Sequence, residues 1–156
     1  MAHIKTKRDR IKFASDNVTG ACPEVLDAIL KANDGDRTPY GNDEISKSLQ
    51  DKFSEIFEKE VIVFPTSSGT AANALALSTM TPSFGNIYCH KLSHINVDEC
   101  GAPEFYTGGA KLVTLKGDDG KITAEELNKS IHGKGIVHHT QPSSVSITQL
   151  CETGEA

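Results

Sequence analysis

Four consecutive apolar residues, Val61 to Phe64, run into Pro65 and a hydroxyl-rich turn, Thr66-Ser67-Ser68-Gly69-Thr70, from which a small-residue segment departs without a spacer. A short continuous apolar run reads as a buried strand, and Ala71, Ala72, Ala74, Leu75, Ala76 and Leu77 read as a helix over Gly69 to Met80. A strand that turns directly into a helix is the building unit of parallel α/β folds, because parallel neighbours need a helical crossover. The rest of the chain keeps this rhythm. An extended start near Lys12 to Ser15 precedes Pro23, which opens a helix whose apolar face is Val25, Leu26, Ile29 and Leu30 and which stops near Asn33 to Gly35. A loop through Pro39, Tyr40 and Gly41 leads to Asp43, the expected N-cap of a helix with Ile45, Leu49, Phe53, Ile56 and Phe57 facing inward. Strands are expected at Asn86 to Cys89, Lys111 to Leu115 and Val145 to Thr148. Thr123 and Glu126 have capping-box spacing for a helix through Ile131. Ligands then belong at the carboxyl ends of the strands.

Composition narrows the function classes. With 156 residues, 37% of them hydrophobic, the chain can bury a core without disulfide or metal staples. Its 16 basic residues against 21 acidic ones exclude the cationic surface that a nucleic acid would require. Apolar runs of at most four residues fall far short of the roughly 20 of a membrane-spanning helix. Cys22, Cys89, Cys100 and Cys151 form no CxxC pair, and no apolar signal segment precedes them, so they read as reduced thiols in the cytoplasm. Lys5, Lys7, Arg8 and Arg10 lie in an N-terminal arm, residues 1–12, that reads as solvated.

Two segments carry candidate chemistry. The free N–H groups at a helix start and the hydroxyls of Ser67, Ser68 and Thr70 would converge on a phosphate, with Gly69 permitting close approach. The same pattern serves equally as a simple helix cap by Ser68 or Thr70, and it lacks the lysine of a P-loop and the spaced glycines of a dinucleotide fingerprint. The second segment runs from Cys89-His90-Lys91-Leu92-Ser93-His94 to Asp98-Glu99-Cys100. Cys89, His90, His94 and Cys100 are zinc-type ligands, but their spacing matches no common zinc module. His94 follows a strand on the same sheet edge as the hydroxyl turn, where an imidazole could stack on a planar ligand.

Ser15-Asp16-Asn17-Val18-Thr19, Tyr40-Gly41-Asn42-Asp43, Pro65 through Asn73, His94 through Ala102, and Val145-Ser146-Ile147-Thr148-Gln149 with Glu152-Thr153-Gly154 resemble, in order and spacing, the low-specificity threonine aldolases. The resemblance runs from Phe13 onward. It implies part of the large domain of the aspartate-aminotransferase-like (fold type I) fold of pyridoxal-phosphate enzymes, an α/β domain whose incomplete, mostly parallel sheet carries flanking helices. The implied reaction is cleavage of L-threonine or allo-threonine to glycine and acetaldehyde, the cofactor, pyridoxal 5'-phosphate, acting as electron sink. By position, the resemblance implies that Ser68, Gly69 and Thr70 hold the cofactor phosphate, that His94 stacks on its ring, and that Ser15 lies near the substrate carboxylate. It further implies that Glu99 supports the His94 region, that Tyr40 reaches a neighbouring subunit's site, and that Gln149 or Glu152 faces the cofactor or the substrate hydroxyl.

The family's Schiff-base lysine, its acid at the pyridine nitrogen and its substrate-gripping arginine lie downstream of the Glu152 loop, within an Asp-Gly-Ala-Arg strand end and a later lysine segment. Lys91, Lys111, Lys134, Arg8, Arg10 and Arg37 stand in no matching context. The expectation is therefore the N-terminal portion of such an enzyme, residues 13–156, with no catalytic lysine, no metal and no aldol cleavage alone. The alternative is a non-catalytic assembly module that complements a separate C-terminal half. Since this half's strands interleave with those of the later half in the family fold, unpaired sheet edges and exposed apolar faces are expected, and with them homo-oligomerisation.

Overall fold

A computed structural model describes residues 18–151, which divide between two compact units, one ending at Val63 and one beginning at Phe64. The expected N-terminal arm and the extended start near Lys12 to Ser15 lie outside the described residues.

The first unit carries α1 (Pro23–Ala32) and α2 (Glu44–Ile56). Pro23 sits in the first turn of α1, where its missing N–H costs nothing. Arg37 folds back on the other end, its Nε donating to the Ala32 carbonyl at 2.9 Å, so a cation meets the negative end of the helix dipole. Asp43 caps α2 as its sequence position predicts. One carboxylate oxygen accepts from the Ser46 N–H at 2.9 Å and the other from the Ser46 hydroxyl at 2.6 Å. These bonds hold the Asp43 carboxyl below its ordinary range, the hydroxyl contributing most.

The expected inward residues are not covered. Val25, Leu26, Ile29 and Leu30 of α1, Ile45, Phe53 and Ile56 of α2, and Phe57 at its C-cap are exposed; Leu49 of α2 is half-buried, and neither helix has a buried residue. A stripe this apolar is the kind that packs on another surface, and the described residues of this unit supply none.

Val61 to Phe64 also departs from expectation: it is not a strand, and Ile62 and Phe64 are more than 70% exposed. A strand exists through its ladder, and no described strand pairs with this segment. The Gln50 side chain stands in for a neighbour, its Nε2 donating to the Val63 carbonyl at 3.1 Å and its Oε1 accepting from the Val63 N–H at 2.9 Å. Ser54 Oγ accepts from the Val61 N–H.

The second unit is α/β. In chain order it comprises α3 (Gly69–Met80), β1 (Gly85–His90), α4 (His94–Val97), α5 (Ala102–Tyr106), β2 (Lys111–Leu115), α6 (Ala124–Ser130) and β3 (Gln141–Val145). The sheet is all parallel with order β2-β1-β3, so the chain passes over β1 between β2 and β3, and α6 lies on that connection. Thr123 caps α6 by accepting from the Glu126 N–H. β1 is central and buried at every residue. Ile87 and Cys89 of β1 pack with Leu77 of α3, Ile95 of α4 and Ala110 to form the core.

β3 lies four residues earlier than the expected Val145 to Thr148 and shares only Val145 with it. Pro142 reads as a breaker in sequence, yet an edge strand tolerates proline because one of its sides needs no donor. The register against β1 shifts between Asn86 and Ile87, which accommodates the extra residue Ser143.

Candidate functional site

The site is built at the carboxyl end of β1, where the start of α3 meets the loop that carries His94. Ser68 is the N-cap of α3, and its Oγ accepts from the Ala71 N–H at 3.1 Å. The cap and the anion cup are thus not exclusive here. A capped hydroxyl keeps its own proton to donate, and the N–H groups of Gly69 and Thr70 in the first turn make no backbone hydrogen bond. A Cβ built on Gly69 would meet nothing within 4 Å, so the approach to these donors is open. A twelve-residue helix directs its dipole to the same point. A cavity of about 370 Å³ borders the turn, lined by Ser68, Thr70, Ala71, Ala74, Leu75 and Tyr106.

One turn into α3, Asn73 reaches across to the other half of the site. Its Nδ2 donates to Glu99 Oε1 at 2.6 Å, and the same oxygen lies 2.8 Å from His94 Nδ1. The Glu99 side chain is fully buried, whereas that of His94 is about half exposed, so the carboxylate anchors and the ring presents. Oε1 accepts the Asn73 proton and can only accept again, which makes Nδ1 of His94 the donor and sets the orientation of its ring. Glu99 Oε2 is buried without a hydrogen-bond partner among the described residues, leaving one acceptor of the site unclaimed.

Local backbone conformation explains how Glu99 turns inward. Cys100 and Gly101, at φ 50° and 74°, are consecutive left-handed residues that reverse the chain between α4 and α5. For Cys100 this costs about 1 kcal/mol, strain of the sort that persists where surrounding contacts hold it. The Ala102 N–H closes the turn on the Glu99 carbonyl at 2.9 Å.

Of the remaining sequence candidates, Ser15 and Glu152 lie outside the described residues. Tyr40 belongs to the first unit and is 96% exposed in a turn at φ 62°. Gln149 is exposed in a bend after β3. The zinc-type set is dispersed: Cys89 is in the core, and His90 is buried with Nδ1 accepting from the Leu92 N–H and Nε2 facing the Gly117 carbonyl. Cys100 is exposed, and the described residues contain no group of three or more His, Cys, Asp or Glu placed to hold a metal ion. Burial pushes the Cys89 thiol up, against a smaller opposing pull from Ser93. Sequence reasoning assigned no role to Asn73 or Tyr106. The signal for Asn73 was present as the one amide among the alanines of α3.

The arrangement suits a ligand with an anionic group at the start of α3 and a flat face beside His94. The Beta-eliminating lyase family matches residues 12–156. The low specificity L-threonine aldolase of Pseudomonas sp. (strain NCIMB 10558) is 41% identical over 143 residues, covering 92% of this chain and 41% of that protein. That of Pseudomonas aeruginosa is 38% identical over the same shares. Among solved structures, the threonine aldolase of Leishmania major superposes with a TM-score of 0.83 at 28% identity, over 92% of this chain and 42% of that one. The chain spans about two fifths of the length of the curated relatives it matches.

Proposed function

This chain belongs to the beta-eliminating lyase family, and from that premise we propose that it supplies the phosphate cup and ring contact of a threonine aldolase dependent on pyridoxal 5'-phosphate. The observation that carries this reading is the hydrogen-bonded chain Asn73–Glu99–His94, which ties the first turn of α3 to the imidazole. A phosphate at one end of a planar ring and a stacking group beside that ring are what these residues fit.

In this reading the Gly69 and Thr70 N–H groups, with the hydroxyls of Ser68 and Thr70, donate to the phosphate, and the helix dipole adds to their pull. Glu99 keeps the proton on Nδ1 of His94, and Asn73 keeps Glu99 in place, so the ring cannot turn away. Pyridoxal phosphate, when bound, supplies an electron sink for breaking the bond between Cα and Cβ of threonine or allo-threonine, giving glycine and acetaldehyde. By the sequence resemblance, the Schiff-base lysine, the acid at the ring nitrogen and the substrate-gripping arginine are expected downstream of the Glu152 loop, and this chain spans about two fifths of the relatives' length. The 156-residue chain alone therefore binds without turning over. Ser15 and Tyr40 serve the substrate, and Gln149 and Glu152 face it or the cofactor, in a cytoplasmic homo-oligomer or beside a complementary C-terminal half.

Two measurements test this. Pyridoxal phosphate should compete with inorganic phosphate for the purified chain, and pyridoxal without its phosphate should not. With L-threonine added, no acetaldehyde should form above the rate of free cofactor. Specific turnover, or a borohydride-trapped lysine adduct on this chain, refutes the assigned division of labour. Equal binding of pyridoxal and pyridoxal phosphate refutes the cup.

A further inference from the structure

The far end of the sheet carries a second cavity. The amino ends of β1 and β2 and the loop between α6 and β3 enclose about 230 Å³ lined by Asn86, Lys111, His132, His138, His139 and Thr140. That is room for several waters or one small ion. Asn86 opens β1 and Lys111 opens β2, and the two are register partners in the parallel ladder. His94, Glu99 and the α3 turn belong to the opposite, carboxyl end of β1, so the two places are separated by the length of the sheet.

Three features mark this basin as a built site. First, its charge has one sign: no carboxylate lines it, and Lys111 makes no ion pair among the described residues. Second, the histidine loop is held in shape. Gln141 Nε2 is shared among the carbonyls of Gly133, Ile136 and His139 at 3.2, 3.1 and 2.9 Å, and its Oε1 accepts from the Gly135 N–H at 2.8 Å. Gly133, at φ 76°, lies so close under the His139 ring that a Cβ there would stand 2.6 Å from Nδ1. Third, Asn86 is only 7% exposed and its Oδ1 has no hydrogen-bond partner among the described residues. A buried amide oxygen left unpaired is costly, and a ligand that donates to it removes the cost.

A metal does not fit, because the described residues contain no set of three ligating groups near enough to share one ion. We propose that this basin binds a small oxyanion that retains a hydroxyl, of the hydrogen phosphate type. Lys111 and the imidazole N–H groups receive its charged oxygens, and Asn86 Oδ1 accepts from its hydroxyl. An ammonium and convergent N–H donors recognise oxyanions in this way, and the unpaired acceptor distinguishes a protonated oxyanion from sulfate or a carboxylate.

The test is a titration of the full chain with inorganic phosphate at constant ionic strength, following the imidazole resonances of His132, His138 and His139 by NMR. Saturable shifts with a millimolar midpoint are expected, with sulfate and acetate weaker. Lys111 and His138 are exposed, so Lys111→Met and His138→Gln leave the fold intact. Each should raise the phosphate midpoint about tenfold, the loss of one charge-assisted contact. Ser68→Ala, which alters the α3 turn instead, should leave the midpoint unchanged, so this site and the proposed cofactor cup fail or stand separately. Non-saturating shifts, shifts reproduced by chloride, sulfate binding equal to phosphate, or an unchanged midpoint in Lys111→Met each overturn the proposal.

Discussion

Nδ1 of His94 lies 2.8 Å from Oε1 of Glu99, and that oxygen also receives Asn73 Nδ2 at 2.6 Å. A fully buried carboxylate is thus shared between a half-exposed imidazole and the first turns of α3. Glu99→Ala should lower unfolding stability by about 2 kcal/mol, the loss of two hydrogen bonds to a charged group being offset in part by removal of the unpartnered Oε2. Glu99→Gln should keep more of that stability, since an amide oxygen can still accept both bonds. It should nevertheless change the nitrogen-15 shifts of the His94 ring, because the charge that holds the Nδ1 proton is gone. Urea unfolding and imidazole NMR read the two effects separately, and unaltered His94 shifts in Glu99→Gln would refute the orienting role.

Gly69 and Thr70 separate folding from binding. Gly69→Ala introduces a Cβ that meets nothing within 4 Å and replaces a poor helix former, so thermal stability should hold or rise by up to about 1 kcal/mol. The same methyl group stands where a phosphate must approach the first-turn N–H groups. Thr70→Val keeps the shape and deletes one hydroxyl donor. Each variant should weaken pyridoxal phosphate binding about tenfold in equilibrium dialysis, with pyridoxal as the control that does not change.

The sequence made each unit legible wherever a short-range signal decided the outcome. Asp43 and Thr123 cap the helices they precede, Gly69 to Met80 is helical end to end, and Lys111 to Leu115 is a strand. Where the outcome depended on a distant neighbour, local pattern failed. Val61 to Phe64 has the composition of a buried strand but no ladder partner among the described residues, and β3 begins on Gln141-Pro142, ahead of the expected Val145 to Thr148. The apolar faces of α1 and α2 are correct as periodicity and remain uncovered. At the site, residue types alone suggested His94 and the hydroxyl turn. The bridge between them, Asn73 to Glu99, spans 26 positions and has no local signature.

Gln50 offers a test of how an unpaired strand segment is held. Its side-chain amide takes both backbone groups of Val63, as a neighbouring strand would. Gln50→Ala should release them to water at a cost of about 1 kcal/mol, since both bonds are only partly buried. Amide hydrogen exchange at Val63 should accelerate with that loss, and exchange at Ile87 in the core of the other unit should not. Protection of the Val63 amide that survives the substitution would mean that some other group holds it.

Cys89 gives the chain a stability limit on the alkaline side. Burial raises its thiol pKa above the unfolded value of about 8.5, so between those two values the folded chain binds more protons than the unfolded one. The slope of unfolding free energy with pH follows the protons bound in the unfolded state minus those bound in the folded state, and is therefore negative there. Stability from this group is complete below about pH 8.5 and is lost as pH rises through the folded value. Cys89→Ala removes that slope, at a cost near neutrality of about 1 kcal/mol for the cavity it leaves in the core beside Leu77 and Ile95. Thiol reagents supply the second readout. In the native chain Cys22 and Cys100, both exposed, should react quickly, and Cys89 only after unfolding. A Cys89 that reacts in the folded chain as fast as Cys100, or a wild-type pH profile identical to that of Cys89→Ala, would show that the core around β1 is open to solvent.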